Sequence, residues 1–234
     1  MSISQPTRLQ ADILTIFPEV IDVYARTSIL GRAQEQDYLC VKAHNLRNWA
    51  NDTHHKVDDV PYGGGPGMVM KVEPFDLALQ SIRRKEVRTR VILTSASGQL
   101  FTHQDACRLA TYDQLIFLCG RYEGIDHRVE EFLVDETFSI GEYVLTGGEL
   151  PALVMLDAVA RQIPGVLGDA DSLTDESHGT EGVLEYPQYT KPEHYGSWSV
   201  PEVLLSGHHA RIREWRKNAS EQRTTQMQKK EPPV

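Results

Sequence analysis

Apolar residues along the chain fall into two rhythms. Compact runs of four to six residues, at Ile13 to Phe17, Tyr38 to Ala43, Val91 to Thr94 and Leu115 to Cys119, read as buried strands. Between them apolar positions recur at helical spacing: Val20, Val23, Tyr24 and Ile29 within Glu19 to Leu30, then Phe75, Leu77, Leu79 and Ile82 within Glu73 to Arg84. A shorter helix is expected over His103 to Leu109. Strands alternating with helices predict an α/β domain with a largely parallel sheet, whose ligands bind at the carboxyl ends of the strands. The stretches after Thr94, after Cys119 and around Leu145 all fall at such ends.

Glycine then marks where backbone must come close to something. Ser139 to Pro151 (Ser-Ile-Gly-Glu-Tyr-Val-Leu-Thr-Gly-Gly-Glu-Leu-Pro) joins an apolar run to three glycines. Alone, it reads as a strand and a Gly-Gly turn into a helix over Glu149 to Arg161. A second loop, Cys119 to Asp126 (Cys-Gly-Arg-Tyr-Glu-Gly-Ile-Asp), also follows a strand-like run, and the pair suggests a ligand or a second backbone segment lying against both. Asn45 to Gly67 has little periodicity and ends in a glycine-rich segment, a long loop of the kind that is functional or disordered. It lacks the Gly-Lys-Ser or Gly-Lys-Thr ending of a P-loop. Gly168 to Gly182 is polar and acidic without apolar period, which predicts a mobile linker or lid. Ala210 to Lys217 reads as a basic helix, and the polar tail from Glu221 to Val234 as frayed.

Composition narrows the class. With 234 residues, the chain suits one large domain, alone or with a small appendage; 40% hydrophobic and 24% charged residues are ordinary for a globular protein. No window approaches eighteen apolar residues, and Met1 to Gln10 lacks the order of a signal peptide, so the expectation is a cytoplasmic protein with no membrane partner. A net charge of −9 argues against indiscriminate coating of nucleic acid. Arg211 to Lys230, however, carries seven Lys or Arg against two acids, so any such contact is local. Cys40, Cys107 and Cys119 are scattered, with neither Cys-x-x-Cys nor metal-ligand spacing.

Several motifs in a fixed order are more specific than any of these features. Val57 to Met68 (Val-Asp-Asp-Val-Pro-Tyr-Gly-Gly-Gly-Pro-Gly-Met), Cys119 to Asp126, Ser139 to Pro151, Ile163 to Gly168 (Ile-Pro-Gly-Val-Leu-Gly), Tyr186 to Pro192 and Leu204 to Arg216 together resemble the bacterial tRNA (guanine-N1)-methyltransferases. That family acts on guanosine 37, next to the anticodon, and belongs to the SPOUT class. The resemblance implies a SPOUT-type α/β domain with a deep trefoil knot over residues 1–168. It further implies a linker carrying the catalytic carboxylate over 169–184 and a small, mostly helical, tRNA-binding domain over 185–234. It also implies a homodimer with shared active sites, S-adenosylmethionine held bent in the knot and S-adenosylhomocysteine as product. True knots are nearly absent from proteins, so this fold is not derivable from periodicity.

The resemblance assigns the donor site to Ser95, Ala96, Gly98, Gly120, Arg121, Tyr122, Glu123, Gly124, Ser139, Ile140, Gly141, Tyr143, Leu145, Gly147, Gly148 and Pro151. Ala96 departs from a frequent proline, and Glu123 offers negative charge to the ribose or the cationic donor. Methylation at guanine N1 requires that its proton leave to a general base. Negative character then develops at O6, which a fixed guanidinium stabilises. Arg161 matches the family's arginine. Counting without a gap from Gly165, Glu176 takes the place of the usual aspartate and Asp175 precedes it; either carboxylate has the reach, and position favours Glu176. Asp58, Asp59 and Tyr62 match the family's RNA-facing loop, while Arg211, Arg213 and Arg216 offer phosphate partners. Assistance by a magnesium ion is left open. Two other readings compete: a knotted methyltransferase acting on a ribose 2′-hydroxyl, against which the matches at Asp58 to Met68 and Leu204 to Arg216 argue, and a non-catalytic RNA- or nucleotide-binding protein that keeps the pocket alone.

Overall fold

The two faces of one strand divide the core. In β1 (Leu9–Thr15) the residues Leu9, Ala11 and Ile13 belong to one buried cluster and Leu14 to another, the alternation expected of a strand covered on both sides. The computed structural model describes residues 8–168, 177 and 182–228. It separates into two compact units, residues 1–168 and 169–234.

In the first unit β1 is followed by α1 (Pro18–Ala25), α2 (Ser28–Glu35), β2 (Leu39–Asn45), a single 3-10 turn (Leu46–Trp49), β3 (Asp58–Asp59) and β4 (Val69–Met70). Then come α3 (Val72–Ile82), β5 (Thr89–Leu100), α4 (His103–Leu109), β6 (Gln114–Cys119), α5 (His127–Leu133), β7 (Glu136–Ser139) and α6 (Glu149–Ala160). Five strands form one sheet in the order β2-β1-β6-β5-β7, and every pairing in it is parallel. Residues of α1, α2, α4 and α6 pack on one face around Phe117 and Phe138; residues of α3 and α5 pack on the other around Phe75, Ile116 and Leu118. All six residues of β6 are buried, as a central parallel strand requires. The buried Asp12 carboxylate in β1 is satisfied by Gln10 Nε2 at 2.7 Å, Gln114 Nε2 at 2.6 Å and His44 Nε2 at 2.7 Å.

The second unit holds a two-stranded antiparallel ribbon, β8 (His194–Tyr195) with β9 (Trp198–Ser199), then α7 (Glu202–Leu205) and α8 (His209–Gln228). None of its described residues is fully buried. Aromatic contacts hold it together: Tyr189 lies 6.2 Å from Trp215, and the Arg216 guanidinium sits 4.7 Å over the Tyr186 ring.

Four expectations are corrected. The helix predicted over Glu19 to Leu30 is two helices, because the Thr27 hydroxyl donates to the Val23 carbonyl and Ser28 takes a left-handed φ of 52°. The Asn45 to Gly67 loop is partly ordered by the 3-10 turn and the β3-β4 hairpin. The apolar run within Ser139 to Pro151 is not a strand beyond Ser139. The polar tail is helical as far as Gln228, where Ser220, Arg223 and Thr224 bond to the backbone of Leu184 and Glu185. Most of the predicted linker, including Asp175 and Glu176, lies outside the described residues. Among the described residues no helix is long and apolar enough to cross a membrane.

Candidate active site

A cleft with about 230 Å³ of room opens at the carboxyl ends of β5, β6 and β7. Three segments wall it: Thr94 to Ala96 after the sheet-bound part of β5, Gly120 to Gly124 after β6, and the stretch from Phe138 to Pro151 that joins β7 to α6.

The first wall exists because β5 slips against its neighbour. Phe138 of β7 pairs with Thr94 and again with Gln99, so the residues between are extruded from the ladder. The Ser95 and Ser97 hydroxyls, 2.9 Å apart, close that extrusion. At Gly98 a Cβ would lie 2.7 Å from the Phe138 nitrogen, so only glycine lets β5 return so close to β7.

The second wall turns sharply. Tyr122 adopts a left-handed φ of 61°, a conformation that costs a bulky residue about 1–2 kcal/mol and that the surroundings must hold in place. What holds it is the β3-β4 hairpin: Met68 carbonyl accepts from Glu123 N at 3.0 Å, Met70 N donates to Gly124 carbonyl at 2.9 Å, and Asp126 N donates to Met70 carbonyl at 2.9 Å. Two glycine-rich motifs more than fifty residues apart thus form one rim, with Gly67 packed directly on the Glu123 side chain.

The third wall is tied to the second. Gly148 N donates to the Gly120 carbonyl at 2.9 Å. The Ser139 hydroxyl donates to the Gly141 carbonyl at 2.8 Å, and the Tyr143 ring folds back over Gly141. Beneath the turn, the buried Glu149 carboxylate pairs with Arg121 and accepts from the Thr15 hydroxyl. Burial, with the Glu149 charge nearby, holds the Cys119 thiol well above its ordinary pKa, so it stays protonated and inert.

Of the residues expected at the donor site, Ser95, Ala96, Gly120, Arg121, Tyr122, Glu123, Gly124, Ser139, Ile140, Tyr143, Leu145, Gly147, Gly148 and Pro151 line this cleft. Gly98 and Gly141 do not line it; each instead accommodates a neighbour that shapes it. Thr94, Phe138, Val144 and Thr146 also line it and were not foreseen; their adjacency to the motif residues was the only signal in the sequence. Arg161 caps the far end of α6, thirteen residues and about 20 Å from the Gly148 turn, and is not a wall of this cleft. Asp58 and Asp59 form β3, and Tyr62 is fully exposed on the loop beyond it. In the second unit Arg211 and Arg213 are exposed on α8, whereas Arg216 is half-buried against Tyr186. Among the described residues, no group of three His, Cys, Asp or Glu side chains converges as a metal site would.

Comparison with known proteins agrees along nearly the whole chain. The tRNA (Guanine-1)-methyltransferase TrmD family matches residues 9–231. The chain is 51% identical over 209 residues to the tRNA (guanine-N(1)-)-methyltransferase of Geobacter sulfurreducens, covering 89% of this chain and 85% of that one. It is 49% identical over 223 residues to the enzyme of the same name from Heliobacterium modesticaldum, covering 93% and 82%. Against that of Ruminiclostridium cellulolyticum it is 50% identical over 217 residues, covering 92% and 93%. A match of this length and identity identifies the chain as a member of the tRNA (Guanine-1)-methyltransferase TrmD family.

Proposed function

We propose that this chain is a cytoplasmic homodimeric enzyme that transfers a methyl group from S-adenosylmethionine to N1 of guanosine 37 in tRNA. The observation that carries the reading is the convergence of the Thr94–Ala96, Gly120–Gly124 and Phe138–Pro151 segments on one cleft at the carboxyl ends of β5, β6 and β7. Its walls fit an adenosine-bearing donor: backbone at Gly120 and Gly147 lines the cleft and can meet an adenine edge, and Ile140, Tyr143 and Leu145 offer apolar surface around it. When bound, S-adenosylmethionine supplies the methyl group on an activated sulfonium, with S-adenosylhomocysteine as product.

What remains for the protein is positioning, proton removal and charge stabilisation. A linker carboxylate, Glu176 or Asp175, takes the N1 proton of guanine, and the Arg161 guanidinium stabilises the negative charge developing at O6. Because Arg161 sits at the opposite end of α6 from the turn at Gly148, it serves a site shared between subunits. The apolar residues left exposed on α1 (Val20, Val23 and Tyr24) and on α6 (Leu150 and Val154) supply a surface for that pairing. The path of the chain supports a trefoil knot: after the edge strand β7 it crosses the ends of β5 and β6, lodges Gly148 between Thr94 and Cys119, and enters α6 on the face that α4 also covers. Arg211 and Arg213 of the second unit meet tRNA phosphates, and Asp58, Asp59 and Tyr62 border the RNA.

The test is methyl transfer from labelled donor to tRNA transcripts carrying guanosine or adenosine at position 37, with and without magnesium. Incorporation into the guanosine transcript alone supports the proposal. Equal incorporation into both removes the base specificity, and donor binding without any transfer favours a binding protein.

A further inference from the structure

Arg121, Glu149 and Thr15 form a clamp whose two buried members, Glu149 and Thr15, lie outside the lining of the cleft they support. Glu149 is the first residue of α6 and is 1% exposed. Its Oε1 accepts from the Thr15 hydroxyl at 2.6 Å, and its Oε2 accepts from Arg121 Nε at 3.0 Å and Nη2 at 2.8 Å. Arg121 also donates through Nη1 to the Thr146 carbonyl at 3.1 Å and rests 4.6 Å over the Phe17 ring. Its guanidinium lies flush on Gly147, where a Cβ would come within 2.2 Å of Nε. A continuous path of polar contacts therefore runs from the end of β1, through the first turn of α6, to the Gly120 loop and the Thr146 turn.

A buried ion pair adds little net stability compared with apolar packing of the same volume, because desolvation offsets the attraction. Directional bonds to a single carboxylate do, however, fix the spacing of the elements that supply them. Here those elements are two walls of the cleft. We propose that Glu149, held by Thr15, is a positioning residue for the methyl donor: it sets the distance between the Gly120–Gly124 loop and the Thr146–Gly148 turn, and with it donor affinity rather than the chemical step. This rests on the reading of the cleft as the donor site.

The test uses the full chain and titrates S-adenosylhomocysteine by calorimetry into the wild type, Thr15→Val, Thr15→Ser and Glu149→Gln, alongside steady-state kinetics. Thr15→Val keeps the side-chain shape and leaves the Arg121 pair intact. Loss of the hydrogen bond to the charged Glu149 acceptor, together with the one that the Thr15 hydroxyl accepts from Phe17 N at 2.9 Å, is expected to weaken the product about tenfold and raise the donor KM similarly. The kcat and the tRNA KM should stay within about twofold, the pattern of a lost binding contribution. Thr15→Ser should restore affinity, and Glu149→Gln should weaken it further than Thr15→Val; should Glu149→Gln fail to fold, the Thr15 pair decides the question. A folded Thr15→Val enzyme with wild-type affinity and donor KM overturns the proposal, whatever its melting temperature, as does a loss confined to kcat. A wild type that binds no S-adenosylhomocysteine sinks the donor-site reading and the clamp together, whereas wild-type binding with an unchanged Thr15→Val sinks the clamp alone.

Discussion

Gly148 N donates to the Gly120 carbonyl at 2.9 Å, and the approach is so close that a Cβ on Gly148 would stand 2.1 Å from Thr94 Oγ1 and 2.7 Å from the Cys119 Cα. Two of those neighbours are backbone or buried strand, so neither can yield cheaply. Gly148→Ala is therefore expected to cost about 1–3 kcal/mol by overpacking. It should also abolish measurable donor binding, since the turn moves off the Gly120 loop. Thermal unfolding and calorimetry check this; an alanine variant with wild-type donor affinity would show that the contact does not shape the site.

Acid stability reports on a different part of the fold. Burial opposes ionisation of Glu136, but hydrogen bonds from Arg108 and Arg90 prevail and hold its pKa below the ordinary value. A lowered folded-state pKa means the stabilisation is complete above the unfolded pKa near 4.5 and is lost as pH falls through the folded value. Glu136→Gln is expected to cost about 1.5 kcal/mol at pH 7, and the gap to wild type should close as the pH drops below about 4. Denaturant melts at a series of pH values measure it. A constant gap would contradict the pairing.

Much of this architecture was legible in the chain, and the misses have physical causes. The runs at Leu115 to Cys119 and the helix at His103 to Leu109 were readable because each is buried or capped locally; Thr102 and Asp105 form a reciprocal capping box at the start of α4. β7 was missed because it is a four-residue edge strand that begins with Glu136 and Thr137, with burial only at Phe138 and Ser139. Tyr143 to Leu145 misled in the other direction, since their apolar side chains are exposed along the cleft rather than paired in a sheet. Glu149 carried no signal at all: its hydroxyl partner, Thr15, is 134 residues away, and only the fold brings them together. The fold itself was less legible than the site, because the glycines announce a close approach without saying which backbone makes it.

The basic face of α8 predicts a salt signature. Arg211→Ala and Arg213→Ala should each weaken tRNA binding to a similar degree across tRNA sequences and lower the log-log salt slope by about one. Arg216→Ala should act differently, through loss of its contact over Tyr186, and lower the stability of the second unit. Binding isotherms between about 50 and 200 mM salt separate the two behaviours. Unchanged slopes for Arg211→Ala and Arg213→Ala would remove them from the RNA face.

The linker carboxylates predict a kinetic split. If Glu176 is the general base, Glu176→Gln should lower kcat about 10²–10⁴-fold while donor affinity stays at the wild-type level, and Asp175→Asn should do much less. The reverse ranking transfers the role to Asp175. Normal turnover in both variants excludes the linker as the source of the base.

The exposed apolar residues of α1 and α6 predict assembly. Val23→Asp, or Val154→Asp on the neighbouring helix, should convert a dimer to monomers in sedimentation experiments and remove turnover without loss of helix content. An active monomer would contradict a shared site.

The central claim is the atom that receives the methyl group. Unmodified tRNA with guanosine 37 should be incubated with the enzyme and isotope-labelled S-adenosylmethionine, digested to nucleosides and resolved by mass spectrometry. The account predicts one labelled 1-methylguanosine, mapping to position 37. Label on a ribose 2′-hydroxyl, on another base, or nowhere despite donor binding would contradict it.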